Sequence, residues 1–279
     1  MAEPQSPQRS ETREIAELRR LKEAQPELAS AVDLQIELLQ LHRRVQTRVP
    51  LPSIRLDAEH LKTLLASPPV LQFDHLPIDW SDLRFLLRAT ASAMRTHDAI
   101  DNTDFRRVDA LCRDAALLPP AARAWYEAAR SGAAPVGADI EGLEPVFQQA
   151  MRPFLMRAAD AVMARIDLTG WGRGICPLCA GEPDFAVITP AADRLLLCGR
   201  CCARWHFHQF TCPFCMNADR SRITSFASRD GLYRLYGCDA CDRYLKAFDA
   251  RTAGRAVMPS VDSIATLPLD AAAMQKGYK

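Results

Sequence analysis

Apolar residues in the first half of the chain recur every three or four positions, which is the spacing of amphipathic helices. The clearest run follows Pro26, a residue suited to the first turn of a helix, and continues through Val45. No alternating pattern typical of strands competes with it. We therefore predict a mostly helical N-terminal domain over residues 1–172, with a polar, Pro/Ser-rich and disordered start of about 11 residues.

Capping and breaking residues place the other helices of this half. Asp57 and Asp79 are suited to begin helices, because a carboxylate accepts hydrogen bonds from the free N–H groups of a first turn. Pro145 and Pro153 are expected to break or kink the last helix, because proline lacks the N–H that an interior turn needs. Besides the helix from Asp57 to about Ala66 and the one starting at Asp79, helices are expected at 103–117, 120–131 and 139–167.

The period changes after residue 172, where short strand-like stretches replace the helical spacing. Two hairpins are predicted, around the turn Pro190-Ala-Ala-Asp and around Ser228-Arg-Asp-Gly, and each is followed by a third strand. The tail from Pro259 predicts one or two short helices. The strands are expected at 185–189, 194–197, 204–210, 223–227, 232–236 and 243–248.

Four Cys-x-x-Cys turns flank these strands. Each turn brings two thiolates to the separation that one edge of a tetrahedral metal site needs. Sequential pairing is favoured because a hairpin fills the gap within each pair of turns, although interleaved pairing stays possible. The predicted ligands of site one are Cys176, Cys179, Cys198 and Cys201, and those of site two are Cys212, Cys215, Cys238 and Cys241.

The repeat of turns and strands predicts an α+β multidomain chain. The helical domain is followed by two tandem rubredoxin-like or zinc-ribbon β modules, at 173–210 and 211–279, the second carrying the helical tail. Modules of this size have too little apolar core to fold unaided. A structural zinc contributes on the order of 10 kcal/mol to folding, so we expect metal in both sites and unfolding of the modules on chelation.

The identity of the two ions is left open by the ligands. All-thiolate tetrahedral sites suit zinc and also a single iron. The Cys-Pro-x-Cys turns at 176–179 and 212–215 occur in zinc ribbons and in rubredoxin-type iron sites alike. A structural role and a rubredoxin-like redox role are therefore both open.

Charge and composition narrow the function classes. Residues 176–248 carry nine Arg/Lys and seven Asp/Glu, and eight thiolates with two divalent ions would change this net +2 to −2. A zinc-ribbon nucleic-acid-binding protein, the third alternative, needs a basic surplus that is not visible. None of the common catalytic motifs is present, so we expect no enzyme activity.

Two observations bear on the compartment. No apolar run approaches the roughly 18 residues of a membrane span. The segment Met1 to Arg20 is polar and charged, so we expect no secretory signal and a cytoplasmic protein whose cysteines stay reduced.

Several residues near the cysteines could have either a structural or a functional role. Cys202 is expected to face away from site one as a small packing residue, with a redox role as the alternative. His206 and His208 are expected on the surface of a strand, although they could donate hydrogen bonds to the metal ligands or contact a partner. Cys112 fits a buried packing position in a helix. The cations expected to offset the thiolate charge are Arg200, Arg204, Arg243 and Lys246.

The cysteine block resembles the formate dehydrogenase accessory protein family, FdhE. The motifs that carry this resemblance are Cys176-Pro-Leu-Cys-Ala-Gly-Glu-Pro, Cys198-Gly-Arg-Cys-Cys-Ala-Arg-Trp-His, Cys212-Pro-Phe-Cys, Cys238-Asp-Ala-Cys-Asp-Arg-Tyr-Leu-Lys, Val261-Asp-Ser-Ile-Ala-Thr-Leu-Pro-Leu-Asp and Gln275-Lys-Gly-Tyr. They lie within residues 176–278. The sequence departs from the expected pattern at Ala180, where a glycine is expected, at Gln209, where an arginine is expected, and at the extra Cys202.

The resemblance implies a cytoplasmic protein that assists the assembly and maturation of formate dehydrogenase. It implies binding to the catalytic subunit of that enzyme, and four-cysteine sites that are able to bind iron. The eight paired cysteines are the only residues to which it assigns a role.

Overall fold

The structure, a computed structural model, describes residues 12–131 and 140–279. The start predicted to be disordered, residues 1–11, lies outside them.

Asp57 caps its helix by accepting a hydrogen bond from the His60 N–H at 2.9 Å, and Asp79 accepts from the N–H groups of Ser81 and Asp82. Both predicted helix starts are confirmed. The described helices of the first half are α1 (Arg13–Ala24), α2 (Ala29–Gln46), α3 (Ala58–Leu65), α4 (Trp80–Thr96), α5 (Asn102–Arg113), α6 (Leu118–Ser131) and α7 (Glu144–Met163).

Helix α7 is central to the helical half, and its apolar face packs against α2 and α4. Of the predicted break or kink, the break does not occur at either proline. Pro145 lies in the first turn, where a missing N–H leaves no hydrogen bond unmade, and the helix continues through Pro153. The buried face of α7, which includes Phe147 and Phe154, holds the helix together by packing on both sides of the proline.

The second half forms one mixed six-stranded sheet in the order β3-β2-β1-β6-β5-β4. Each predicted hairpin and its third strand are present. The two units are joined by parallel pairing of β1 with β6, from Phe185 opposite Lys246 to Ile188 opposite Asp249. The strands are β1 (Pro183–Ile188), β2 (Arg194–Cys198), β3 (Arg204–Phe207), β4 (Ile223–Ala227), β5 (Tyr233–Cys238) and β6 (Arg243–Asp249).

The sheet lies between two helical layers. Residues of one face, including Ala186, Leu196 and Trp205, join the main core with α4 and α7. Phe185 and Phe248 on the opposite face join a smaller cluster with the tail helices α8 (Pro259–Ala265) and α9 (Leu267–Gln275). This burial on both faces explains why β1 and β6 have few exposed positions. In the described part of the chain, no helix is both long enough and apolar enough to cross a membrane.

Candidate metal centres

All four Cys-x-x-Cys turns close with the same backbone hydrogen bond. The N–H after the second cysteine donates to the carbonyl oxygen of the first cysteine, at 2.9 to 3.1 Å. The donating residue has a positive φ in each turn, between 54° and 60°. This left-handed conformation turns the chain back toward the metal position. The four residues are Ala180, Cys202, Met216 and Asp242.

Site one brings together the four cysteines that the sequence pairs in order. The Sγ atoms of Cys176 and Cys201 are 3.6 Å apart, and the Sγ of Cys179 is 3.5 Å from those of Cys198 and Cys201. All four side chains are buried. The backbone N–H of Arg200 donates to the Sγ of Cys198 at 3.4 Å, an outer contact that orients a thiolate ligand.

Site two has the same arrangement and more solvent exposure. The Sγ atoms of Cys212 and Cys241 are 3.7 Å apart, as are those of Cys215 and Cys238. Cys215 is exposed and Cys241 is half-buried, whereas Cys212 and Cys238 are buried. Each site therefore has four cysteines, and site two is more accessible to solvent than site one.

These distances fit a tetrahedral metal ion. A zinc–sulfur bond of about 2.3 Å gives a sulfur–sulfur edge of about 3.8 Å in a tetrahedron, close to the edges of both groups. Burial raises the pKa of the Cys176 thiol and, in site two, of the Cys212 thiol. Four buried thiolates need a compensating cation, so the donor chemistry as well as the spacing suits a divalent ion. Both four-cysteine groups could hold a metal, and the ligands fit zinc and iron equally.

The helical half is anchored directly on site one. The backbone N–H groups of Val70 and Leu71, in the loop between α3 and α4, donate to the carbonyl oxygens of Pro177 and Leu178 at 3.0 and 2.9 Å. The hydroxyl of Tyr126 on α6 donates to the Leu71 carbonyl oxygen at 2.7 Å. The first Cys-x-x-Cys turn is thus held by the loop between α3 and α4, which Tyr126 fastens to α6.

Arg200 makes a second link between site one and α6. Its guanidinium donates to the carbonyl oxygens of Trp125 and Tyr126, both at 3.1 Å, and stacks on the Trp125 ring at 3.8 Å. The arginine is buried. Arg200 therefore lies beside site one, as predicted, and its hydrogen bonds fasten the helical half to the second Cys-x-x-Cys turn.

Arg243 connects the surroundings of the two sites. It donates to both carboxylate oxygens of Glu182 at 2.8 and 2.6 Å, and it stacks on Phe214 in the third Cys-x-x-Cys turn at 3.7 Å. Lys246 is nearly buried and donates to Asp270 of α9 at 2.6 Å. Arg204, the fourth predicted cation, is exposed on β3. Three of the four cations therefore tie elements together around the sites.

Cys202 lies outside both four-cysteine groups. Its side chain is directed by the positive φ of 60°, so the extended backbone assumed in predicting its direction is wrong. The Sγ accepts a hydrogen bond from Arg152 of α7 at 3.1 Å, and burial raises the pKa of the thiol. Arg152 carries no sequence signal that connects it to the cysteines, because this contact spans 50 residues.

The remaining residues that the sequence analysis considered near the cysteines are Cys112, His206 and His208. Cys112 is buried in the main core, where burial raises the pKa of its thiol to about 11. His206 and His208 are exposed, and the side chains of Trp205 and Phe207 point into the core between them. The indole N–H of Trp205 donates to the Arg173 carbonyl oxygen at 3.0 Å.

Comparison with known proteins identifies the relatives of this fold and cysteine arrangement. No family model matches the chain. A curated relative called protein FdhE homolog, from Aquifex aeolicus, is 29% identical over 133 residues, which cover 46% of each chain. Protein FdhE of Escherichia coli K12 is 29% identical over 112 residues, which cover 39% of this chain and 36% of that protein. Over these matched parts, the chain is similar to the FdhE proteins.

A solved structure shares the fold of this chain. The crystal structure of the FdhE protein from Pseudomonas aeruginosa matches it with a TM-score of 0.65 over 96% of this chain and 92% of that one. Sequence identity is 21%, so this match bears on the fold alone. The sequence matches span less than half of the length of the two curated relatives.

A cleft of about 1150 Å³ opens between the helical half and the two candidate metal centres. It is lined from α6 by Trp125, from the Cys-x-x-Cys turns by Arg200 and Phe214, and from the tail by Lys279. Desolvation by the surrounding protein raises the pKa of Asp184 to about 6, although this residue is exposed to the cleft. The cleft carries both signs of charge, with acidic positions Glu144, Glu182, Asp184 and Asp270 and basic positions Arg200, Arg243, Lys246 and Lys279.

Proposed function

We propose that this protein is a non-enzymatic accessory factor of the FdhE family that assists the assembly of formate dehydrogenase by binding its catalytic subunit. Metal in the two four-cysteine sites sets the shape of the surface that binds this client. The observation that carries the proposal is the pair of four-cysteine groups, whose turns contribute Ala180, Arg200 and Phe214 to the lining of the cleft. The resemblance of the cysteine motifs to the formate dehydrogenase accessory proteins supports the identity of the client.

The eight paired cysteines are the proposed metal ligands. Zinc would act as a structural ion at these positions, and iron would add the capacity for one-electron transfer. The chain itself contributes the rest: the closing hydrogen bonds of the turns hold the thiolates in place, and Arg200 fastens site one to α6. Loss of metal from site one would therefore disturb the wall of the cleft as well as the turn.

The cleft is the proposed position for a segment of the catalytic subunit. Its volume exceeds that of an ordinary small-molecule pocket, and its lining alternates acidic, basic and aromatic side chains. Such a lining suits a polar polypeptide segment, because both donors and acceptors on the segment find partners.

A redox role is the second candidate, and the exposure of Cys215 in site two favours it. Electron transfer to a partner requires a metal centre near the surface, and site two meets this condition while site one does not. Anaerobic purification, metal analysis and visible spectroscopy separate the candidates. Colourless, zinc-only protein that supports full assembly would exclude redox chemistry as essential.

The accessory role is tested in cells that make formate dehydrogenase and lack this protein. We expect the tagged chain to restore formate-dependent dye reduction and to retain the catalytic subunit on affinity capture. Cys201→Ser should lower both, because it removes a ligand of site one. Cys202→Ser is a matched control, since it changes the neighbouring cysteine and leaves the ligand set intact. Full activity with Cys201→Ser would contradict the proposal.

The position of the client is tested by filling the cleft. Ala129→Arg on α6 places a long side chain in the lining, whereas Ser92→Arg places the same side chain at an exposed position of α4 outside the lining. We expect Ala129→Arg to weaken capture of the catalytic subunit and Ser92→Arg to leave it unchanged. Equal capture with both variants would exclude the cleft as the binding surface.

A further inference from the structure

Arg194, the first residue of β2, has a buried charged side chain. Only 5% of the residue is exposed, and its Nη1 donates to the carbonyl oxygens of His208, Gln209 and Thr211 at 3.0 to 3.4 Å. Its Nε is buried and has no hydrogen-bond partner. Burial lowers the pKa of this guanidinium, so the charged group is held there at a cost. The protein therefore leaves one donor of this guanidinium unused.

Arg194 lines a second cavity, of about 530 Å³, together with Ile188 of β1, Ser225 of β4 and Tyr236 of β5. Three further arginines line the same cavity: Arg220, Arg234 and Arg251. They come from the turn before β4, from β5 and from the segment after β6. Among the described residues of the lining none is acidic. Four cations therefore converge from separate elements on one cavity.

The nearby carboxylate is already neutralised. Asp249 at the end of β6 is fully buried, and it accepts hydrogen bonds from the Nε of Arg234 and the Nε of Arg251, both at 2.8 Å. These bonds lower the pKa of the Asp249 carboxyl, which stays ionised. They also fix the two arginine side chains against the sheet. One negative charge among four positive ones leaves the cavity strongly cationic.

Aromatic rings form the other part of the lining. The Arg220 guanidinium stacks on Phe210 at 4.0 Å from the ring centroid, and that of Arg194 lies 5.3 Å from the Tyr236 centroid. Stacking holds both guanidinium groups in defined planes while their N–H groups remain at the edge. The pocket is thus built from ordered cations, which costs less side-chain entropy on binding than mobile surface lysines would.

We propose that this cavity, hereafter the arginine pocket, binds a phosphoryl group. Guanidinium groups match the oxygens of phosphate with paired N–H donors, and a phosphate dianion offers enough oxygens for several arginines at once. The volume of the pocket lies in the range that holds a small molecule. Free phosphate, pyrophosphate and phosphate esters share this chemistry. None of the proposed metal ligands lines the pocket.

Calorimetric titration of the full metal-loaded chain tests the proposal, at constant ionic strength, with inorganic phosphate, pyrophosphate and adenosine monophosphate as separate probes. We expect saturable binding of at least one probe. Ser225 of β4 is exposed and lines the pocket. Ser225→Asp should weaken binding about tenfold or more, because it adds a negative charge near the arginines, whereas the neutral isostere Ser225→Asn should keep it.

The pattern across the probes identifies the source of the phosphoryl group. Tighter binding of adenosine monophosphate than of the inorganic probes would support a phosphate ester as the natural ligand, and the reverse order would support a free anion. The proposal is overturned if no probe binds saturably, or if Ser225→Asp and Ser225→Asn weaken binding equally. In that case Arg194 serves only to hold the loop 208–211.

Discussion

The residues after the second cysteine of each turn carry backbone strain that the metal centres require. A left-handed conformation costs a residue with a Cβ roughly 1–2 kcal/mol, and glycine escapes this cost. None of the four positions holds glycine in this chain. Ala180, where the family resemblance leads us to expect a glycine, is one of these four left-handed positions, and its positive φ of 57° explains that expectation.

Met216 gives the cleanest test of this strain, because its side chain is 49% exposed and makes little packing contribution. We expect Met216→Gly to be more stable than Met216→Ala by about 1 kcal/mol, since only glycine relieves the strain while both variants lose the methionine side chain. Denaturant unfolding of the metal-loaded proteins measures the difference. An alanine variant as stable as the glycine variant would rule out the strain.

His42 on α2 predicts an acid-sensitive helical half. Burial, followed by the charge of Arg152, lowers the pKa of His42 to about 4, below the ordinary value of about 6.5. The folded chain binds this proton more weakly than the unfolded chain. The unfolding free energy should therefore fall as pH drops from about 6.5 to 4, by up to about 3 kcal/mol.

The variant His42→Phe isolates this contribution, because it removes the titrating group and keeps a ring of similar size. Loss of metal at low pH affects both proteins, so the quantity to measure is the difference in unfolding free energy between them at each pH. We expect the difference to move in favour of the variant between pH 6.5 and 4. A difference that does not change with pH would show that His42 is not the group responsible.

At the scale of elements, the linker between the helical half and the sheet is packed more closely than its glycines suggest. A Cβ on Gly174 would lie 1.7 Å from the carbonyl oxygen of Pro213, in the third Cys-x-x-Cys turn. A Cβ on Gly172 would meet its nearest atom, on His208, at an ordinary 3.8 Å. Gly174 is therefore required for close approach to site two, whereas Gly172 is not.

This contrast gives a matched pair of variants. Gly174→Ala should destabilise the protein by about 1–3 kcal/mol, because a backbone neighbour cannot move aside, and it should loosen metal at site two. Gly172→Ala should have little effect. Thermal unfolding and the rate of metal release to a chromogenic chelator measure the two consequences. Similar behaviour of both variants would show that the linker tolerates displacement.

At the scale of the whole molecule, the two metal centres differ mainly in access. Site one is enclosed by the helical half, and site two has one exposed and one half-buried cysteine. We expect a chromogenic chelator to remove metal in two phases, a fast one from site two and a slow one from site one. Cys215→Ser should remove the fast phase and leave the slow phase. A single phase in the unchanged protein would contradict this asymmetry.

The local features of this chain could be predicted from the sequence. The caps at Asp57 and Asp79, both hairpins and the order of the cysteine pairs depend on residues close together in the sequence, where spacing alone restricts the geometry. The continuity of α7 through Pro153 was missed, because packing on both sides of the proline outweighs its local preference.

Contacts between distant segments could not be predicted from the sequence, for a physical reason. Parallel pairing of β1 with β6 joins strands about 60 residues apart, and no periodic pattern records which strands will be neighbours. The same holds for the bond between Arg152 and Cys202 and for the four arginines around one cavity. The sequence by itself determined the elements that carry the cysteines and favoured the two four-cysteine groups that the structure brings together. Tertiary packing alone decided that site one is enclosed, that site two is accessible, and that a cleft and an arginine pocket lie beside them.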